Sequence, residues 1–328
     1  MVRLVWRQLD EVPSEFGRAV VTIGNFDGVH LGHRVTLDRA RAVADTFGPD
    51  VALVVVSFDP HPMAVLAPGR EPAVLTTIDQ RVELLVAAGA DHVLVLPFTR
   101  ELASWPPDEF VQRVLVDALH AVAVVVGANF RFGHRAAGDV DTLRARGTSD
   151  GFVVDAVELV GGERPWSSTA VREALARGDV VAAAGVLGRP HTVEGVVVEG
   201  DHRGRELGYP TANVPTSGMR AVPADGVYAG WLRRLDDPEA PQWPAAISVG
   251  TNPTFAGTDR RVESYVLDRD DLELYEVPVR VSFHQQLRGQ VRFDGVDDLV
   301  RQMAVDVDRT RELLTHREGQ QRPAAPAG

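Results

Sequence analysis

The sequence predicts two unlike domains, an α/β domain built on a mostly parallel sheet and then an antiparallel β domain closed by a helix. Three observations predict this. The 328 residues exceed a prior of about 150 per domain. From Arg18 to about Leu187, short apolar runs alternate with longer periodic stretches, as strands and helices do in a doubly wound domain. From His191 onward, strand-like runs follow one another with turn residues and no helix between them, which fits an antiparallel barrel or sandwich.

In the first part the expected strands are Arg18 to Ile23, Val51 to Phe58, His92 to Leu96, Val122 to Val126 and Phe152 to Val157. Helical periodicity covers Gly32 to Phe47, Ile78 to Ala88, Asp108 to His120 and Val140 to Arg146. Pro106 and Pro107 signal the start of the third helix, and Gly89 closes the second. Two short helical segments, Ser167 to Ala176 and Val180 to Leu187, lead to the change of texture. The second part reads HTVEGVVVEG, GYPTANV, GVYAGWLRR, AAISVG, RVESYVLD and VPVRVSFH, and an amphipathic helix from Gly295 to about Thr315 closes it. The domains are therefore placed at 1–187 and 188–318, with a disordered tail at 319–328.

Composition removes several function classes. There is no cysteine, so neither a disulfide framework nor a thiolate metal site is available. All 34 basic residues are arginine, which excludes a Schiff-base lysine and the lysine-dependent P-loop. With 46 acidic residues, a net charge of −12 and no basic tract, nucleic acid is not an expected partner. No stretch approaches the roughly 18 apolar residues of a membrane span, and the start lacks an export signal, so a cytoplasmic location is expected. An anionic small substrate stays open, because screening cuts off distant charges beyond about 8 Å.

The first chemical cluster is GNFDGVHLGHR, Gly24 to Arg34, at a strand-to-helix turn. Gly24, Gly28 and Gly32 permit close approach of backbone N–H groups to an anion, and the helix start adds about half a positive charge. His30 and His33 are three apart and share a helical face, so both can point at one bound group. An isolated His-x-x-His is more often a surface or core pair, and zinc would need a third ligand that the local sequence does not supply. The full string resembles the H-x-G-H signature of nucleotidyltransferases, in the G-x-F-D-G-V-H-x-G-H form of the bacterial bifunctional riboflavin kinase and FAD synthetase family. SFDPHP at Ser57, VGANFRFGHRAAGD at Val126 and WSSTAVREAL at Trp166 resemble that family in the same order. Class I aminoacyl-tRNA synthetases pair H-x-G-H with a lysine loop, which this chain cannot form. The resemblance implies a Rossmann-like nucleotidyltransferase domain. It implies that Gly24, Phe26, Gly32, Ser168 and Thr169 hold ATP phosphates, that His30, His33 and Arg172 stabilise charge during transfer, and that His61, Asn129 and Phe132 hold the flavin.

The second cluster is GDHRGRELGYPTANV, Gly200 to Val214. Gly200, Gly204 and Gly208 can wrap backbone around phosphates, and Thr211 and Asn213 share one face of a strand. A hydroxyl and an amide oxygen suit Mg²⁺, a hard ion that keeps its other positions for water and phosphate. The string resembles the riboflavin kinase motif G-x-x-x-G-R-x-L-G-[FY]-P-T-A-N, as do Gly226 to Gly230 and Ser248 to Phe255. That resemblance implies a β-barrel with Arg205 among the phosphate-binding residues and Glu263, in RVESYVLD, as general base. Two departures stand out, Glu273-Leu274-Tyr275-Glu276 where relatives turn with D-L-Y-G, and Trp166 where a small aliphatic residue is usual.

The activity so implied is phosphorylation of riboflavin by ATP to FMN, followed by adenylylation of FMN by ATP to FAD and pyrophosphate, both with Mg²⁺. ATP, riboflavin and FMN are then the small-molecule partners, with no nucleic acid and no membrane; oligomeric state is left open. Two rival readings are an enzyme with only one working half and a non-catalytic flavin-binding sensor.

Overall fold

Uninterrupted apolar runs become strands covered on both faces, and so lack the in-out alternation of a half-exposed sheet. The computed structural model describes residues 4–158, 160, 161, 165–200, 208–216, 219–254, 257–269 and 271–321. Contacts divide the chain into two compact units, Met1–Ser168 and Thr169–Gly328.

In the first unit, strands β1 (Leu4–Trp6), β2 (Ala19–Ile23), β3 (Ala52–Asp59), β4 (His92–Pro97), β5 (Ala121–Gly127) and β6 (Val153–Val157) form one parallel sheet in the order β1-β4-β3-β2-β5-β6. Helices α1 (Leu31–Phe47), α2 (Pro62–Leu66), α3 (Ile78–Ala87), α4 (Arg100–Ser104), α5 (Pro107–Phe110) and α6 (Val140–Asp150) connect them. Alternate strand residues feed opposite layers: Val21, Val54 and Val124 join the core of Leu115 and Leu143, whereas Val20, Leu53 and Val125 join that of Ala40 and Ala44. The capping box of Thr77 and Gln80 fixes the start of α3. The chain leaves β2 in one direction and returns on its other side as β5, so the order reverses at the C-terminal ends of these strands. Open parallel sheets form their ligand crevice at such a reversal.

Two readings of the sequence need correction here. The helix expected over Asp108 to His120 is the short α5 followed by a π-helical segment, Val111–Ala118, whose wider turns bury Val111, Val114 and Leu115. Strand β1 was not expected, because three residues carry too little periodicity to register.

Helices α7 (Ser168–Ala176) and α8 (Val180–Leu187) follow, and α8 packs on the strands of the second unit. Those strands are β7 (His191–Val196), β8 (Thr211–Thr216), β9 (Gly226–Arg234), β10 (Trp243–Thr254), β11 (Gly257–Val266) and β12 (Pro278–Gly289). They pair antiparallel in the order β7-β12-β9-β10-β11-β8. The two ends of this order meet just past β7, where Val198 N–H donates to the Asn213 carbonyl at 2.9 Å and Gly195 faces Val214. The sheet therefore nearly closes on itself, which decides between barrel and sandwich. Helix α9 (Val296–Gln321) seals one side, with Leu314 against Val227, Ala229 and Leu287 and with Arg288 paired to Asp306 at 2.8 Å. It runs beyond the expected end at Thr315 into the segment read as a tail, and residues 322–328 lie outside the described residues.

Crossing strands leave no room for a side chain at Gly230, where a Cβ would overlap the Ser282 carbonyl oxygen and crowd Ile247. Gly230→Ala is expected to destabilise the barrel by about 1 to 3 kcal/mol, the scale of an overpacked core. Denaturant unfolding should show one transition moved to lower midpoint with the other unchanged.

Candidate active sites

The loop after β2 is folded tightly around a buried carboxylate. Asp27, 2% exposed, accepts hydrogen bonds from the Leu75 N–H at 3.0 Å, the Thr76 N–H at 3.1 Å and the Thr76 hydroxyl at 3.2 Å. The Arg81 guanidinium, also buried, stands 3.7 Å away and donates to Ser57 Oγ and the Phe58 carbonyl. These bonds tie the loop to the start of α3 and the end of β3. Between them the backbone takes left-handed φ at Phe26 (50°), Gly28 (84°) and Val29 (40°). Left-handed φ is costly for a β-branched residue such as Val29, and such strain clusters at functional sites.

That path sets the two histidines. His30 caps α1, its Nδ1 accepting from the His33 N–H at 3.3 Å, and the two rings stack with centroids 3.6 Å apart. The Phe26 ring is buried in the core and meets His33 edge-on at 5.0 Å, so a ligand can meet Phe26 only through its backbone. His33 Nδ1 is buried without a hydrogen bond, which leaves Nε2 as the ring nitrogen for a ligand. Burial first, then His30 and Arg81, hold the His33 imidazole well below its ordinary range, so it is neutral near pH 7. Gly32 and Gly24 sit in tight surroundings: a Cβ would lie 3.1 Å from His30 Nδ1 and the Trp166 carbonyl at Gly32, and 3.2 Å from the Phe26 ring at Gly24, so a side chain there would make these neighbours shift by a few tenths of an ångström. Ser168 Oγ donates to the Asp27 carbonyl at 2.8 Å, which brings the start of α7 to the same loop. Thr169 and Arg172 follow on α7 beyond the end of the first unit, Arg172 one turn on from Ser168.

Beside this loop, at the ends of β2, β3 and β5, lies a cavity of about 860 Å³. Its walls include Gly24, Asn25, Asn129 and five phenylalanines, Phe58, Phe98, Phe110, Phe130 and Phe132. Phe130 and Phe132 stack at 5.5 Å, and Phe58 and Phe98 meet edge to face at 5.6 Å. Such a volume, with aromatic walls and a few polar groups, suits a planar heteroaromatic ligand. His61 borders it through Pro62: its Nδ1 accepts from the Met63 N–H at 3.2 Å, and its Nε2 stands 3.5 Å from Asn25 Nδ2. Of the site residues named from sequence, Asn129 and Phe132, named for flavin, and Gly24, named for phosphate, line these walls, whereas Asn25, Phe58, Phe98, Phe110 and Phe130 are missed. Asp27 and Arg81 are missed as well. Asp27 stands inside the motif itself, whereas Arg81 looks like any polar residue of an amphipathic helix.

In the second unit, register assembles the other cluster. Glu263 on β11 lies directly opposite Asn213 on β8 and Ser248 on β10. Cross-strand partners point to the same face about 5 Å apart, so Glu263, Asn213 and Thr211 share one surface while Val214, Val262 and Ser264 fill the interior. Asn213 Nδ2 donates to the Thr211 carbonyl at 3.1 Å and stands 3.5 Å from its hydroxyl, which fixes the amide. Gly200 packs against that amide so closely that a Cβ would overlap it, and Gly208 has a left-handed φ of 84°. Gly204 and Arg205 lie outside the described residues. Among the described residues, no group of three or more His, Cys, Asp or Glu is arranged to hold a metal ion.

Comparison with known proteins agrees with this division. The family model for FAD synthetase matches residues 12–170, and that for riboflavin kinase matches residues 187–314. The bifunctional riboflavin kinase/FMN adenylyltransferase of Escherichia coli K12 is 35% identical over 308 residues, covering 93% of this chain and 95% of the relative. The protein of that name from Pseudomonas fluorescens is 39% identical, covering 94% and 96%. A solved structure described as a macrolide-efflux protein from Streptococcus pneumoniae superposes with a TM-score of 0.82 at 30% identity, covering 95% of this chain and 99% of that one. No helix among the described residues is long and apolar enough to cross a membrane. Since both family models match and full-length relatives exceed 30% identity, the chain belongs to the bifunctional riboflavin kinase/FMN adenylyltransferase family.

Proposed function

We propose that the chain makes FAD in two steps, phosphorylating riboflavin with ATP in the barrel and adenylylating the resulting FMN with a second ATP in the α/β domain. The observation that carries this reading is the presence, within one chain, of two differently built sites. One is a strained glycine-histidine loop beside an aromatic cavity, and the other is a strand glutamate in register with an Asn-Thr pair. We take the α/β part as residues 1–187 and the barrel part as 188–318, in the cytoplasm.

For the kinase step, Glu263 accepts the proton of the terminal ribityl hydroxyl as that oxygen attacks the γ-phosphorus of ATP and ADP departs. Gly200 and Gly208 contact the phosphates, and Gly204 and Arg205, which lie outside the described residues, are kept as phosphate-binding residues on the strength of the motif alone. The donor set next to Glu263 is oxygen-based, with Asn213 fixed by its own bonds to Thr211. That chemistry fits Mg²⁺, which Thr211 and Asn213 would hold together with phosphate and water. When bound, the ion neutralises phosphate charge.

For the adenylyl step, the FMN phosphate attacks the α-phosphorus of ATP and pyrophosphate leaves. The nucleophile is already anionic, so no general base is needed. Backbone N–H groups near Gly24, Phe26 and Gly32, with His30, His33 and Ser168, supply donors to the triphosphate. Thr169 and Arg172 are kept as further donors on the strength of the Ser-Ser-Thr-x-x-Arg string alone. The isoalloxazine ring lies in the aromatic cavity near His61, Asn129 and Phe132.

Incubating the chain with riboflavin, ATP and Mg²⁺ and separating the products should give FMN and then FAD; absence of both leaves a flavin-binding protein, and one product alone leaves a single working half. Glu263→Gln should abolish FMN formation and leave conversion of supplied FMN to FAD near normal. Replacing His30 and His33 together by Ala should cut FAD formation by about a hundredfold or more, the scale of losing a transition-state donor, and spare the kinase.

The depressed pKa of His33 also has a stability consequence. Unfolded, the imidazole binds a proton below about 6.5; folded, it does so only at lower pH. Between those values the unfolded state holds more protons, so stability falls as pH drops through 6.5 and the loss levels off below the folded value. Thermal unfolding at pH 7.5 and 5.5 should show a smaller acid-induced decrease for His33→Gln than for the unaltered chain.

A further inference from the structure

We infer that Arg100 and Arg135 recognise the phosphate of the flavin substrate at the aromatic cavity of the first unit. The adenylylating half thereby selects phosphorylated flavin over the unphosphorylated vitamin. This rests on the reading of that cavity as the FMN site and names how the site tells FMN from riboflavin.

The lining carries an unusual charge. Arg100, Arg131, His134 and Arg135 belong to it, and no Asp or Glu does, in a chain with 46 acidic and 34 basic residues. Arg131 is partly neutralised by Asp139 at 3.2 Å. Arg100 and Arg135 are exposed, and neither side chain makes a hydrogen bond or ion pair among the described residues. Two uncompensated guanidinium groups therefore stand beside five phenylalanines. Both are exposed and so partly screened by water, but the aromatic walls beside them screen less than water does, and no carboxylate of the lining opposes them.

The backbone holds Arg135 at a cost. Arg135 and the following Ala136 have left-handed φ of 52° and 56°, a strained conformation for a residue with a side chain. Surrounding bonds enforce it. The His134 N–H donates to the Trp105 carbonyl at 2.8 Å, the Ala136 N–H donates to the Gly133 carbonyl at 3.0 Å, and Phe132 and Gly138 bridge the loop base. Gly133 sits against Pro107 with no room for a Cβ. Arg100 is fixed at its backbone by the first turn of α4, which the Thr99 hydroxyl caps. A flat neutral ring asks for none of this. A phosphate dianion gains charge-assisted hydrogen bonds from two such groups.

The test is steady-state FAD formation by the full chain with FMN varied. Lumiflavin, an uncharged isoalloxazine without a ribityl chain that the kinase half cannot phosphorylate, serves as a competitive inhibitor. In R100A/R135A the KM for FMN should rise about tenfold or more, with kcat within about threefold and the lumiflavin inhibition constant within about twofold. R100K/R135K should recover most of the loss, and added salt should raise KM more in the unaltered chain than in the alanine variant. An unchanged KM overturns the inference. So does a lumiflavin constant that rises in step with KM, since the arginines would then shape the ring pocket. If the unaltered chain binds lumiflavin but forms no FAD, the adenylylation reading itself fails.

Discussion

The α/β site depends on one buried carboxylate. Phe26 and Val29 occupy left-handed backbone conformations, each unfavourable by about 1 to 3 kcal/mol for residues with side chains. Asp27 stands between them and accepts three hydrogen bonds from Leu75 and Thr76. These bonds, made by the turn just before α3, hold the loop in that conformation. The same group keeps the buried Arg81 charge company at 3.7 Å, and Arg81 in turn holds the end of β3 through Ser57 and Phe58. One residue therefore couples the histidine loop, the start of α3 and the strand end beside the aromatic cavity.

That coupling explains why the motif is longer than its chemistry requires. For the proposed adenylyl transfer, two histidines and a few N–H groups would suffice to meet phosphate, provided that the loop already holds them in place. Gly24 and Gly32 allow the approach, Phe26 anchors the loop in the core, and Asp27 fixes its path.

Legibility followed the range of each interaction. Five of the six parallel strands could be read because buried strands are continuous apolar runs, and the antiparallel half because turn residues space its strands. The π-helical segment after α5 could not, since Val111, Val114 and Leu115 satisfy an α-helical pattern equally well until packing decides. Site residues inside a compact string, His30, His33, Thr211 and Asn213, were visible. Arg81, Phe98 and Arg100 were not, because they come from elements distant in sequence and meet only through the parallel sheet; Phe58 and Arg135 lie inside the strings SFDPHP and VGANFRFGHRAAGD, but nothing in those strings sets them apart until the cavity forms. Glu263 is intermediate: as a residue of a strand it is unremarkable, and only register opposite Asn213 gives it surroundings.

The absence of lysine sharpens what the two sites have in common. Under the proposed function, and without an ammonium group that follows a phosphate flexibly, the chain would meet polyphosphate with groups fixed by backbone geometry: N–H groups in glycine turns, imidazoles stacked at a helix start, planar guanidinium groups. Fixed donors are less tolerant of misplacement than a lysine on a four-carbon stem, and the cost appears as local strain. The left-handed backbone at Phe26, Val29, Arg135 and Ala136 lies beside the cavity or the histidine loop that borders it. In an acidic chain the proposed FMN site is lined by Arg100, Arg131, His134 and Arg135 and by no carboxylate, so its local field would oppose that of the molecule as a whole and favour an anionic flavin.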